Sequence, residues 1–170
     1  MSLSVYEIAV PVFTQQMTAL TTVLDLAEAD CAERKIDEGA VLGMRLYPDM
    51  FTMAQQVRQA TGHVKGALAR LAGAEVPKPS ADGTSFAELK EQVASALEAA
   101  GACAPDKLEG SEDKEVELVR PGVTQTFSGR DYLLHNAIPQ VCFHVATCHG
   151  ILRHAGVELG KRHYLTPAPK

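Results

Sequence analysis

Tryptophan is absent from this 170-residue chain, aromatic residues make up only 5% of it, and no apolar run approaches the roughly 20 residues that span a membrane. The first ten residues lack the basic stretch and cleavage site of a secretory signal peptide, so we expect a cytoplasmic protein. A net charge of −5 disfavours nucleic acid as the main partner. The 46% hydrophobic content is typical of a folded chain, and we expect one domain over residues 1–170.

Several motifs that carry chemistry are missing as well. The sequence contains no H-E-x-x-H or C-x-x-C motif and no E-x-x-H repeated on two helices, which removes the usual evidence for zinc and di-iron sites. Nucleophile elbows, Walker A loops and dinucleotide fingerprints are also absent. Four cysteines in a chain of this length, without a secretion signal, are typical of reduced intracellular thiols rather than of disulfide pairs.

Helical periodicity dominates what is present. It predicts four long amphipathic helices over about residues 3–28, 50–72, 85–101 and 130–155. Between the last two helices, apolar and polar residues alternate before Pro121-Gly122, and an extended pattern resumes after it. This indicates a short β-hairpin or other extended insertion. We therefore expect an all-α four-helix bundle that carries a small hairpin between helices three and four.

Boundary residues refine these predictions. Asp49 is placed to cap the second helix, and Ser85 with Glu88 matches a capping box for the third. Pro139 should kink or divide the last helix. The tail after residue 165 is expected to be irregular.

Two of the six histidines lie beside the predicted core. On the last helix, Gln140 and His144 are one turn apart, and each immediately precedes a residue of the apolar seam. The second helix carries a matching polar stripe of Gln56, Gln59, His63, Gly66 and Arg70. If the two stripes face each other, His63, Gln140 and His144 line one polar pocket. If they do not, both histidines are ordinary half-exposed residues at the edge of the core.

The segment before the second helix joins a cation, a phenol and a carboxylate. Arg45 and Asp49 could help to gate a pocket at one end of the bundle. The structural alternative is a helix start with an aspartate cap and an Arg-Asp pair. Cys148 lies one turn beyond His144 but falls on the apolar seam, which favours a small buried residue.

Several of these segments resemble an uncharacterised bacterial family, a domain of unknown function grouped with the DinB/YfiT-like metalloenzymes. The resemblance is carried by the runs Arg45–Phe51 (RLYPDMF), Lys65–Gly73 (KGALARLAG), Phe143–Val145 (FHV) and Ile151–Gly156 (ILRHAG). It implies a four-helix bundle, often dimeric. Characterised members of the wider superfamily are similar to thiol-dependent isomerases and S-transferases.

In that superfamily, a metal is held by one histidine from the second helix and an H-x-x-x-H pair from the last. Carried onto this sequence, the resemblance assigns the second histidine of the pair to His144 and the helix-two ligand to His63. The first position of the pair is Gln140, and an amide oxygen is a much poorer ligand than imidazole for Zn²⁺ or Ni²⁺.

Three functions therefore stay open. The first is an uncharacterised DinB-like bundle with a polar pocket and a degenerate metal site. The second is a thiol transferase or isomerase that uses Zn²⁺ or Ni²⁺, with His63 and His144 as ligands and Gln140 or Cys148 completing the set. The third is a non-catalytic module that binds a small molecule or forms a dimer. A small-molecule ligand and a homodimer are the partners we expect.

Overall fold

A computed structural model of the chain describes residues 3–165, apart from the side chain of Arg120. The predicted irregular tail lies outside the described residues. The helices are α1 (Val5–Arg34), α2 (Glu38–Leu42), α3 (Met53–Ala72), α4 (Phe86–Gly101), α5 (Gly129–Tyr132), α6 (Ile138–His154) and α7 (Lys161–Tyr164). Strands β1 (Glu115–Arg120) and β2 (Val123–Ser128) form an antiparallel hairpin between α4 and α5.

The four long helices α1, α3, α4 and α6 form the predicted bundle. In cross-section, α4 packs against both α1 and α3, and α6 packs against the same two helices from the other side. The seam of α3 is completely buried at Val57, Ala60, Val64, Ala67 and Leu71. Because α3 and α6 are neighbours, their polar flanking stripes are brought together, which the periodicity alone could not establish.

Two helix boundaries differ from the sequence prediction. Helix α1 continues past residue 28 to Arg34, whose guanidinium pairs with Asp30 one turn earlier. The N-cap of α3 is Thr52 rather than Asp49, so the prediction for Asp49 was wrong. Thr52 and Gln55 form a reciprocal capping box that satisfies two amide donors, and Asp49 lies in the turn before it.

The hairpin and the helix start at Ser85 were predicted correctly. Gly122 adopts a φ of 78° after Pro121, which is the conformation that a type II turn requires at its third residue. The Ser85 hydroxyl caps α4 by accepting from the amide of Glu88. The other half of the predicted box differs, because the Glu88 carboxylate accepts from Thr84 instead.

Pro139 divides the last helical segment, although no loop separates the parts. The chain runs from α5 through a single π-helical stretch, Leu133–Ala137, directly into α6. Inside a regular helix, a proline ring collides with the carbonyl four residues earlier and leaves that carbonyl without an amide partner. A wider turn of this kind accommodates the proline because it shifts that carbonyl. The described helices include none that is long and apolar enough to cross a membrane.

Gly129 joins the hairpin to the last helical segment, and it is packed tightly against neighbouring backbone. The packing at this junction can be tested by substitution. A Cβ at this position would overlap the carbonyl oxygen of Ser111, whose side chain is completely buried. We expect Gly129→Ala to lower the free energy of unfolding by roughly 1–3 kcal/mol, because backbone must move to relieve the overlap. Gly101→Ala is the matched control, since nothing lies within 4 Å of a Cβ there. Equal urea midpoints for both variants would contradict this account.

Candidate functional site

The rings of His63 and His144 meet between α3 and α6. They stack with their centroids 5.4 Å apart and their planes 12° from parallel. His144 is only 5% exposed, whereas His63 is half-buried. The flanking stripes of the two helices therefore do face each other, and the two histidines that the sequence singled out are in contact.

A third side chain, Gln56 on α3, determines the state of His144. The Gln56 amide nitrogen donates to the carbonyl of Phe51 at 3.3 Å, so its oxygen faces the other way. That oxygen lies 2.6 Å from Nδ1 of His144. Because a carbonyl oxygen can only accept, Nδ1 must carry the hydrogen, and Nε2 then presents a lone pair.

His144 is neutral at physiological pH. Burial, with a further contribution from repulsion by His63, lowers the pKa of His144 to about 4. A buried neutral imidazole with one nitrogen already paired can accept a proton or a hydrogen bond at the other nitrogen. This combination of burial, fixed tautomer and lone pair is the chemically distinctive feature of the site.

His144 opens into a small, mainly apolar pocket of about 180 Å³. Its lining includes Met50, Phe51 and Phe143, together with Asp49 at the rim and Gln56 below. Phe143 meets the His144 ring edge-on at 5.3 Å, and Phe51 lies 6.4 Å away at a tilt. Both phenyl groups are themselves exposed, so the pocket has aromatic walls and a polar floor.

Arg45 and Asp49 have different roles in forming this pocket. The Arg45 guanidinium donates to the carbonyls of Pro48 and Met50, at 3.3 and 3.2 Å, and so holds residues 45–50 in a tight curve. That curve places the exposed carboxylate of Asp49 at the rim of the pocket. Arg45 thus holds the segment that places Asp49 beside the pocket.

His63 faces a second cavity on the other side of the stacked rings. This groove of about 250 Å³ lies between α3 and residues 76–80. Gln140 is half-buried on α6, one turn before His144. Cys148 is completely buried in the core, and burial raises the pKa of its thiol well above the ordinary value, so it is not a thiolate.

The donor set and its geometry bear on the metal that the family resemblance implies. Imidazole lone pairs lie in the ring plane, so two rings that stack nearly parallel do not both aim at one ion between them. Within residues 3–165, no three His, Cys, Asp or Glu side chains are grouped so that they could hold a metal ion. The residues as arranged do not fit the three-histidine site.

Sequence reasoning did not select Gln56 or the two phenylalanines as site residues. Gln56 belongs to the polar stripe of α3 but has no local feature that separates it from Gln59. Phe51 and Phe143 belong to two of the runs that carry the family resemblance, but their clustering depends on how α6 packs against the turn before α3.

The lowered pKa of His144 predicts that the stability of the fold depends on pH in a specific way. The folded protein binds fewer protons than the unfolded chain between the folded pKa of about 4 and the ordinary value of 6.5. The free energy of unfolding should therefore fall as pH drops through this window, by roughly 2–3 kcal/mol between about pH 7 and pH 4.5. His144→Gln cannot titrate, so urea unfolding should show a loss smaller by that amount. Equal losses in both proteins would refute the assignment.

Comparison with known proteins agrees with this architecture. Residues 5–165 match the family model described as "Domain of unknown function (DUF1993)". The chain is also similar to a solved structure, a DinB family member protein from Shewanella denitrificans, with 32% sequence identity and a TM-score of 0.86. That match covers 97% of this chain and 93% of the other. No curated protein matches the chain significantly. The chain therefore belongs to the DUF1993 family, and its fold is that of a DinB-like helical bundle.

Proposed function

We propose that this protein binds a small molecule in the pocket above His144, and that the metal site of its DinB-like relatives is degenerate here. The observation that carries the proposal is the bond between Gln56 Oε1 and His144 Nδ1. It leaves Nε2 as the hydrogen-bond acceptor of a neutral imidazole that lines a pocket with aromatic walls. A compact ligand with an apolar body and one hydroxyl, thiol or amine donor suits that lining.

Degeneration of the metal site is supported by three features of the chain. Gln140 stands where the resemblance places a histidine, the rings of His63 and His144 stack, and Cys148 is buried in the core as a thiol. Each feature removes one candidate ligand, or one favourable ligand geometry, from the set that Zn²⁺ or Ni²⁺ requires.

A metal-dependent thiol transferase or isomerase is the second candidate, and one observation favours it. Histidines that bind metals commonly donate their other ring hydrogen to a carbonyl or carboxylate, as His144 does to Gln56. A bound metal would lower the pKa of a thiol that coordinates it, so that thiolate forms near neutral pH. The homodimer and the cytoplasmic location remain predictions, and light scattering of the purified chain would test the first.

Untagged protein purified from medium supplemented with Zn²⁺ and Ni²⁺ separates the two candidates. We expect far less than one metal ion per chain, because the third imidazole is missing. Gln140→His restores the H-x-x-x-H spacing and should raise metal content towards one ion per chain. Gln125→His makes the same change at an exposed position of strand β2, away from the site, and should not raise the metal content. Stoichiometric metal in the wild type that is lost in His144→Ala would favour the enzyme and overturn the degenerate site.

Phenol serves as the probe for ligand binding, since it joins one hydroxyl donor to an aromatic ring. In an NMR titration we expect shifts at Phe51, Phe143 and the His144 ring, and we expect His144→Leu to abolish them. His154→Leu is the control, because His154 is exposed near the end of the same helix. Shifts that persist in His144→Leu, or no shifts in the wild type, would count against the pocket.

A further inference from the structure

The groove behind His63 has an unusual concentration of positive charge. Its lining includes His63, Arg58, Lys65, Arg70, Lys78 and the half-buried hydroxyl of Ser80. Of the described residues that line it, none is acidic. The whole chain carries 21 acidic and only 16 basic residues, so four permanent cations around one cavity oppose the overall charge.

Most of this charge is not neutralised by neighbouring carboxylates. Arg58 pairs with Asp82 at 3.0 Å, which offsets one cation. In the described part of the chain, no ion pair involves Lys65, Arg70 or Lys78. Like charges gathered around a cavity repel one another unless an anion lies between them.

Arg70 reaches the groove because the residue one turn before it is a glycine. Its guanidinium lies over Gly66, where a Cβ would come within 2.8 Å of Nη1. Any other residue at position 66 would displace the guanidinium from this location. The absence of a side chain at position 66 therefore lets the planar, fork-shaped donor of Arg70 lie close to α3 beside the groove.

The opposite wall is fixed rather than loose. Lys78 lies between Pro77 and Pro79, whose rings restrict the backbone of the segment. The end of that segment is tied to the bundle, since Asp82 accepts from Gln55 of α3 and the Ala81 carbonyl accepts from Gln92 of α4. The backbone that carries Lys78 is thus held beside α3.

From these features we propose that the groove is a binding site for a compact phosphate-bearing small molecule. Arginine matches phosphate oxygens through its forked donors, and lysine adds point charge, so three unpaired cations suit a group with two or more negative charges. A volume of about 250 Å³ admits a small ligand rather than an extended one. Beyond Ser80, a neighbouring depression that Lys65 also lines contains Asp82, Glu88 and Glu91, so the positive region ends there.

This site is separate from the pocket above His144, and it does not depend on the function proposed there. The two cavities share no lining residue, and the stacked rings of His63 and His144 lie between them. A ligand in the groove would contact the outer side of His63, whereas the aromatic pocket is reached through His144.

Calorimetric titration of the untagged chain with inorganic pyrophosphate tests the proposal. We expect one site per chain, with an affinity that falls as salt is added. Arg70→Gln should weaken binding about tenfold or more, as expected for a lost charge-assisted hydrogen bond. Arg153→Gln removes the same charge from an exposed position on α6 and should leave binding unchanged.

Gly66→Ala gives a second, independent test, because it displaces the Arg70 guanidinium without changing any charge. We expect it to weaken pyrophosphate binding while circular dichroism and the urea midpoint remain those of a folded bundle. Phenol and pyrophosphate are titrated separately into the wild type, so failure of the aromatic pocket and failure of this groove are distinguishable. No binding by the wild type, or equal losses in Arg70→Gln and Arg153→Gln, would overturn the proposal.

Discussion

The hydrogen bond between Gln56 and His144 is the central interaction of this bundle. It joins the two helices, α3 and α6, at a point where both side chains are buried. A buried amide and a buried imidazole are costly unless each finds a partner, so the pair favours one register between the helices. The same bond fixes which nitrogen of His144 holds the hydrogen, and it therefore links the packing of the fold to the chemistry of the pocket.

Helix α3 also separates two chemically different cavities. On one side, Gln56 supports His144 beneath Phe51 and Phe143, and the pocket is aromatic with a polar floor. On the other side, Arg70 lies over Gly66 in a groove rich in cations. The stacked histidines form the boundary between these cavities. Two cavities of different chemistry thus lie along one helix of a DinB-like bundle.

The fold could be predicted from the sequence because periodicity, caps and turn residues agree along most of the chain. The site could be predicted only in part. Spacing placed His63 and His144 on flanking stripes, but their contact depends on which helices are neighbours, which no local pattern states. Gln56 gave no signal of its own, since its role appears only when α6 packs beside it. Asp49 and Thr52 are both good caps, and the reciprocal bond with the residue three positions later decided between them.

The tautomer and charge of His144 can be measured directly. In protein labelled with ¹⁵N histidine, two-dimensional NMR near neutral pH distinguishes a ring nitrogen that holds a hydrogen from one that holds a lone pair. We expect a neutral ring with the hydrogen on Nδ1 and the lone pair on Nε2, and loss of that preference in Gln56→Leu. A protonated ring, or a hydrogen on Nε2 in the wild type, would contradict this expectation.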